Sequence, residues 1–270
     1  MRAITAIALF TLKEGLRNRV LYGIGLIALS IIFLSIALSG LFMRDISKVL
    51  LDICLTAVTI GGLLVPFSIT VTHLSGDIEK KHLFTLLCRP ISRNQYILGK
   101  YLGLSFLTAV IMAALTGATF ISAIASTYIY PNSIIPDVSS VPILQAILFS
   151  FISISVLNSC AFLWCSVTTS SFLSTLLILS TYIIGQTVED IVRFIAARVE
   201  GVDISPAIEH TTHFILYIFP NLGAFDIKHL AAHQLTSPPS ELIILAVYGL
   251  AYISIMLLAT NFFFQKRDFT

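Results

Sequence analysis

Four histidines in the second half of the chain have spacings that could place pairs of imidazole rings on one face of a helix. His210 and His213 form an HxxH pair, and His229 and His233 form an HxxxH pair. Neutral imidazole is a common ligand of zinc and other transition metals. This region has no cysteine or carboxylate cluster that would complete a tetrahedral site, and no HExxH motif. We therefore predict that the chain holds no metal and that these histidines lie at a surface or interface.

Three polar side chains interrupt long apolar stretches and are candidates for a substrate path: Asp52, Asn158 and Gln186. A carboxylate inside a membrane segment marks a functional site by default. Asp52 lies near one end of its segment, one turn after Lys48, so an ion pair between these two residues is the alternative. The two amides could instead form hydrogen bonds between helices, which is a common use of Asn and Gln in membranes.

No combination of residues in the sequence points to catalysis. There is no GxSxG motif and no phosphate-binding loop, because the upstream glycine and the following Ser or Thr of GxxxxGK[ST] are absent around Gly99-Lys100. The four cysteines (Cys54, Cys88, Cys160 and Cys165) do not form a secreted disulfide pattern. We predict a non-enzymatic protein that binds no cofactor of its own.

The composition determines which kind of fold must position these residues. Of 270 residues, 57% are hydrophobic and 11% are charged, whereas soluble domains have about 45–50% apolar and about 25% charged residues. The mean hydropathy of +0.95 agrees with this balance. Disorder, nucleic-acid binding and secreted disulfide scaffolds are excluded. The chain is predicted to be a single polytopic membrane domain over residues 1–270.

Uncharged stretches that are long enough for spans of about 20 residues predict six transmembrane helices in an all-α fold. The predicted spans are about 20–43, 49–73, 101–128, 141–166, 171–188 and 242–264. The fourth and fifth spans come from one uncharged stretch, 138–188, which the polar residues 166–171 divide. With the N terminus inside, 11 Lys and Arg residues lie on the inner side and 5 on the outer side. This asymmetry predicts that both termini are cytoplasmic.

Residues 1–19 precede the first span and have the pattern of an amphipathic helix. Their apolar residues at helical spacing are Ile4, Ile7, Ala8, Leu12 and Leu16. Basic residues cluster near the end of the segment. We expect a helix on the inner membrane face with its apolar side in the lipid and its basic side toward anionic headgroups. A simple extension of the first span is the alternative.

Two further segments lie between spans. Residues 75–100 form a cytoplasmic loop in which Pro90 ends a short helix, because proline cannot continue one. Ser92 and Gln95 then have the spacing of a capping box, which starts the helix of the third span. The short helix would expose Leu83, Phe84, Leu86 and Leu87, which suggests docking into a groove of a partner; packing against the spans of this chain is the alternative. Residues 189–240 form an external segment of short apolar helices.

Three stretches together resemble a known family. They are LFTLKEGLRNRVLY at 9–22, EKKHLFTLLCRPISRNQYILGK at 79–100 and FQKRDF at 264–269. This sequence resembles the membrane subunit of type-2 ABC transporters, in the subgroup similar to the nitrous-oxide-reductase maturation permease. The residues that fall on the family pattern are Glu79, Leu87, Pro90, Ser92, Arg93, Gly99 and Lys100. The usual Gly-Thr pair of the loop is replaced here by Lys81-His82.

The resemblance implies a permease that works in the bacterial cytoplasmic (inner) membrane as a homodimer or beside a homologous permease. It also implies a separate cytoplasmic ATP-binding subunit, which would hold ATP and Mg. The residues that would dock on that subunit are Asp77, Glu79, Lys80, Lys81, Leu83, Phe84, Leu86, Leu87 and Arg89 of the loop, with Arg17 and Arg19 of the N-terminal helix. The segment after the fifth span would form re-entrant helices that gate the outer mouth.

The expected function is ATP-driven export of a solute. Within the same fold, the alternative is a mechanical transmitter that drives an external maturation protein through residues 189–240. An ATPase-independent secondary transporter is the alternative from another class, but such proteins usually carry intramembrane charges or interrupted helices near the membrane centre. Here only Asp52 and Pro66 are of that kind.

Overall fold

The computed structural model of the chain describes residues 2–40, 46–72, 74, 92–129, 140–196 and 218–266. This part of the chain is helical and contains no β-strand. Its helices are α1 (Arg2–Leu16), α2 (Arg19–Ser39), α3 (Ile46–Val65), α4 (Arg93–Ile129), α5 (Ser140–Val167), α6 (Ser171–Ala196), α7 (Lys228–Ala232) and α8 (Pro239–Lys266). A π-helical turn, Pro66–Thr70, continues α3, and a short 3-10 turn, Gly223–Phe225, precedes α7.

Six helices of the described ranges are long and apolar enough to cross a membrane: α2, α3 with its π-turn, α4, α5, α6 and α8. This confirms the prediction of an all-α polytopic fold. We use the term near face for the membrane face at which α2 begins, and far face for the opposite one. Because the spans alternate in direction, α3, α5 and α8 run from the far face to the near face.

The start of α4 follows from its sequence. The Ser92 hydroxyl accepts a hydrogen bond from the backbone N–H of Gln95 at 3.3 Å, and the Gln95 side-chain oxygen accepts one from the N–H of Ser92 at 3.3 Å. These reciprocal bonds are the predicted capping box. They start the helix at Arg93, before the predicted start of the span at residue 101.

The division of the long uncharged stretch is also as expected. The helix α5 ends at Val167 and α6 begins at Ser171. In the turn between them, the hydroxyl groups of Thr168 and Ser174 share a hydrogen bond at 2.5 Å. Small hydroxyl side chains favour such turns because they offer the backbone alternative hydrogen bonds.

The centre of the bundle is formed by α3, α4 and α5, which carry most of the fully buried apolar side chains. Cys54 on α3, Leu104 on α4 and Phe162 on α5 are each 0% exposed. The helix α8 packs along α5, and its outer side exposes large apolar residues such as Ile244 and Leu258. Apolar side chains on the outside of a helical bundle are the expected surface toward lipid.

The N-terminal helix packs on α4 through two glycines. A Cβ atom at Gly103 would lie 2.7 Å from the carbonyl oxygen of Ala8 and 2.8 Å from the Cβ of Thr11. A Cβ atom at Gly99 would lie 2.8 Å from the Cβ of Ile7. These distances require glycine, because only glycine allows two helix backbones to approach so closely.

This packing corrects two expectations about residues 1–19. Ile7 and Ala8 face α4 and not the lipid, whereas Leu9 and Phe10, outside the predicted apolar face, are exposed at 65% and 66%. The first span is also not a simple extension of α1, since the helix stops at Leu16 and a new one starts at Arg19. The groove that receives α1 depends on α4, which the periodicity of α1 alone does not reveal.

We expect Gly103→Ala to destabilise the bundle by about 1–3 kcal/mol, the usual effect of overpacking a close contact. Gly117→Ala on the same helix is the control, because a Cβ atom there meets nothing within 4 Å. It should leave stability unchanged or raise it by up to about 1 kcal/mol, since alanine favours helix more than glycine does. Thermal unfolding in detergent micelles measures both. Equal unfolding midpoints for the two variants would contradict the role of Gly103.

Candidate functional site

A cleft of about 280 Å³ lies toward the far face, between α3, α6 and the residues around the 3-10 turn. Its lining residues are Asp52, Thr56, Gln186, Glu189, Asp190, Gly223, Asp226, Lys228 and His229. Asp52 and Gln186, two of the three candidates for a substrate path, therefore line one cavity. Among the described residues, this lining has four carboxylates and a single lysine.

The charges in the cleft are only partly compensated. The Lys228 ammonium lies 3.2 Å from the Asp226 carboxylate, and the backbone N–H of Lys228 donates to the same side chain at 3.3 Å. Glu189 accepts a hydrogen bond from the Asn221 amide. Asp52 is exposed, and within the described part of the chain it forms no ion pair with Lys48. An excess of carboxylates in a cleft gives a negative potential that attracts cations and repels anions.

The histidines do not gather into a metal site in the described part of the chain. His229 lines the cleft and is exposed, and His233 follows it by one helical turn. No group of three or more His, Cys, Asp or Glu side chains among these residues could hold a metal ion. His210 and His213 lie outside the described residues.

A smaller cavity of about 50 Å³ continues from the cleft into the bundle. It shares Gln186, Asp226 and Lys228 with the cleft and adds Thr59, Ser150, Ser153, Tyr182, Leu222 and Phe225. The sequence analysis did not identify the hydroxyl residues that line this second cavity. The pattern that could have indicated them is a pair of small polar residues three positions apart on an apolar helix, such as Ser150 and Ser153.

Asn158, the third candidate for the substrate path, lines neither of these two cavities. It is 0% exposed, and its side-chain oxygen accepts a hydrogen bond from the Thr70 hydroxyl at 2.7 Å. This bond joins α5 to the π-turn that follows α3. Asn158 thus forms the bond between helices that was the alternative reading of this residue.

Residues 218–232, the cap segment, lie beside the cleft and contact α3, α5, α6 and α8. The N–H of Leu222 donates to the carbonyl oxygen of Gly185 on α6 at 2.9 Å, and a Cβ atom at Gly185 would lie 2.6 Å from the carbonyl oxygen of Pro220. On the other side, Phe225 is 0% exposed and its ring stacks on Tyr248 of α8 with centroids 5.9 Å apart.

At the near face, the motif residues after the loop tie α4 to the end of α8. Arg93 donates from Nη1 to the carbonyl oxygens of Phe264 and Gln265, at 3.1 and 3.0 Å. A cation is favourable at a helix C-terminus, where the last carbonyl groups have no helical donor. Tyr96 stacks on Phe264, with centroids 6.2 Å apart, and the buried Lys100 ammonium lies 5.3 Å from the Tyr96 ring centroid.

The residues expected to dock on an ATP-binding subunit fall in two groups. Those of the loop, from Asp77 to Arg89, lie outside the described residues. Arg17 and Arg19 are described, and both are exposed at the junction of α1 and α2.

We expect Thr56→Cys, in a Cys88→Ser background, to react faster with a cationic than with an anionic methanethiosulfonate reagent. The physical reason is the excess of carboxylates in the cleft, where each unit charge a few ångströms away contributes about 0.5–1 kcal/mol even in water. The ratio of the two rates should be about tenfold or more and should fall with Asp52→Asn. Thr236→Cys, at an exposed position of the far-face segment before α8, is the control for intrinsic reagent rates. A ratio at Thr56→Cys equal to that at the control contradicts a negative cleft.

Comparison with known proteins adds the family. The model of the ABC-2 family transporter protein matches residues 35–269, a range that contains α3 to α8 and the last residues of α2. A search of curated proteins finds no match. Membrane components of this family generally work with an ATP-binding partner on the cytoplasmic side. The chain therefore belongs to the ABC-2 transporter family, as a multi-pass membrane permease subunit of an ABC transporter.

Proposed function

We propose that this permease exports a solute across the bacterial inner membrane and is driven by separate cytoplasmic ATP-binding subunits. The near face would be cytoplasmic, as the excess of Lys and Arg on that side predicts. Two copies of the chain, or this chain and a homologous permease, would form the transport unit. ATP and Mg would be bound by the partner, because the sequence has no phosphate-binding loop.

The observation that carries this proposal is the position of α3. Its far end holds Asp52 and Thr56 in the cleft, and its near end leads through Leu74 to the loop at 75–91. At 1.5 Å per residue, about 33 Å of helix separates residue 52 from residue 74. One helical element, α3 with its π-turn, therefore joins the segment that would dock on the ATP-binding subunit to the cavity that would hold the substrate.

The coupling step follows from these connections. Closure of the ATP-binding subunits would displace the loop and, with it, the near ends of α3 and α4. Arg93 would carry that displacement to α8, whose terminal carbonyl groups it binds. The helix α8 holds one side of the cap segment through Tyr248. Movement at the near face would thus loosen the cap and open the inner cavity to the cleft.

The cleft also limits the substrate class. With four carboxylates and one lysine in its lining, it would favour neutral or cationic solutes over anions. The alternative within this fold is a transmitter that acts on an external maturation partner, in line with the resemblance of residues 79–100 to the nitrous-oxide-reductase maturation subgroup. Ile218 and Leu235, exposed apolar residues of the far face, would then belong to the contact surface.

Purification in mild detergent from the native membrane, with mass spectrometry of stoichiometric partners, tests the proposal. We expect a soluble ATP-binding subunit to copurify, and to be lost with Glu79→Ala and Leu87→Asp because these changes alter the docking loop. Asp52→Asn is the control, since the cleft lies at the opposite face and the subunit should stay bound. A chain that purifies alone contradicts this assignment and favours a secondary transporter. A subunit that stays bound in both loop variants contradicts the docking role of the loop.

The role of the cap segment has a test that needs no substrate. Gly185→Val would force Pro220 away from α6, because even a Cβ atom lies 2.6 Å from its carbonyl oxygen. We expect Thr59→Cys, in the inner cavity, to be labelled severalfold faster by a membrane-impermeant thiol reagent in this variant. Gly25→Val on α2 is the control, because a Cβ atom there has no neighbour within 4 Å. Equal labelling in both variants means that the cap segment does not close the cavity.

A further inference from the structure

The π-helical turn Pro66–Thr70 interrupts the regular hydrogen bonding of the second span. Pro66 has no N–H group, so it cannot donate to the carbonyl group four residues earlier. The residues on both sides keep right-handed helical geometry, with φ −64° and ψ −52° at Val65 and φ −63° and ψ −49° at Val71. The helix therefore passes through the turn with a local change of register and without a break. Turns of this kind occur mostly as single insertions inside α-helices, frequently at functional sites.

The hydroxyl group of Thr70 bonds to a different helix, unlike the hydroxyl groups of its neighbours Ser68 and Thr72. Ser68 and Thr72 donate to carbonyl oxygens four residues back, at Leu64 and Ser68. Thr70 donates instead to the side-chain oxygen of Asn158 on α5, at 2.7 Å. Both residues are 0% exposed. The last residue of the π-turn is thus fixed to the core of the bundle by one buried bond.

This bond satisfies the oxygen of the Asn158 side-chain amide but not its nitrogen. Its amide nitrogen has no hydrogen-bond partner and is buried. A buried donor without a partner destabilises the state in which it occurs, and an apolar side chain of similar size would avoid that penalty. The amide is therefore not explained by the stability of the arrangement seen here. It would be explained by a second arrangement, in which the nitrogen donates to a group that is not within its reach now.

The π-turn lies just before the loop, so a second arrangement of the turn would change how the chain enters the loop. If the π-turn winds into α-helical geometry, the register shifts by one residue, which rotates everything downstream by about 100° and moves it by about 1.5 Å along the axis. The residues immediately downstream are 71–74, and the loop 75–91 follows them. A small change inside the membrane would therefore turn the segment that enters the loop.

We propose that the Thr70–Asn158 hydrogen bond is a latch on a hinge at the π-turn Pro66–Thr70. In the latched state Asn158 holds the Thr70 hydroxyl group and its nitrogen is unpartnered. In the released state the turn is α-helical, Thr70 donates to its own helix as its neighbours do, and the Asn158 amide donates to a carbonyl group of the rewound turn. The hinge itself is a property of this chain; its use in coupling rests on the proposed function.

Hydrogen exchange of the full-length chain in lipid nanodiscs, without any ATP-binding subunit, tests the latch. Thr70→Val keeps the size of the side chain and removes the hydroxyl group. We expect the backbone amides of residues 67–74 to exchange about tenfold faster in this variant, while those at the centres of α4 and α5 are unchanged. Ser68→Ala is the matched control, because its hydroxyl group bonds only within the same turn of helix. Faster exchange with the control to the same extent overturns the proposal, as does no change with Thr70→Val.

A second variant separates the latch from a bond that merely holds the fold together. Asn158→Leu removes the latch and the unpartnered nitrogen together. We expect its thermal unfolding midpoint to equal or exceed that of the natural chain, while exchange at residues 67–74 is again about tenfold faster. A lower midpoint with faster exchange throughout the bundle means that the bond is structural only, and the proposal is then wrong.

The same variants distinguish failure of the hinge from failure of the proposed function. If the ATP-binding subunit copurifies, Thr70→Val should keep it bound while the increase that ATP causes in the labelling of Thr59→Cys by the membrane-impermeant thiol reagent falls about tenfold, because docking is intact and only the hinge has changed. An ATP-dependent increase that is unaffected by Thr70→Val overturns the use of the hinge in coupling. If the chain purifies alone, the proposed function fails, but the exchange measurement still decides whether the hinge exists.

Discussion

A lipid bilayer offers no hydrogen-bonding groups, so the backbone polar groups of each span must find their partners inside the chain. Helices satisfy the backbone, and most hydroxyl side chains bond to the carbonyl group one turn back, as Thr108, Thr116 and Thr119 do on α4. Hydrogen bonds that leave their own helix are therefore exceptions. Two of them connect α4 to α5 through the Tyr101 hydroxyl and the Ser155 carbonyl group at 3.1 Å, and α3 to α5 at Thr70. Others join α2 to α3 at Cys54 and α5 to α6 at Thr181.

Close helix contacts supply the rest of the cohesion, because apolar side chains gain little from leaving lipid for a protein interior. Glycine is found where the contact is closest. Gly99 and Gly103 receive α1, Gly185 receives the chain at Pro220, and a Cβ atom at Gly249 would lie 2.5 Å from the side chain of Ile152. The two segments that would sense the partner and close the cleft, α1 and the cap segment, are thus both fixed by glycines.

These constraints divide the molecule into two functional ends. The far end is polar and charged, and the carboxylates of Asp52 and Asp190 in its cleft are exposed beside the cap segment. The near end is a junction of α4 and α8, fixed by the Arg93 guanidinium on the last carbonyl groups of α8. Between them, α3 runs as a regular α-helix up to its buried π-turn, which places the change of register close to the near end. A displacement made at one end could therefore be transmitted as a rotation, and not be absorbed by a flexible middle.

The sequence by itself determined the fold class, the number of spans and the start of α4, because these depend on local properties. Length without charge defines a span, and the side chains of Ser92 and Gln95 define a helix start within four residues. The sequence could not show that Asp52, Gln186 and His229 share one cleft while Asn158 does not, because these residues come from helices far apart in the chain. It also assigned Ile7 and Ala8 to the lipid, since periodicity identifies an apolar face but not what covers that face. Only the tertiary structure decided these points, because the partner of each face is another helix whose position depends on the packing of the whole bundle.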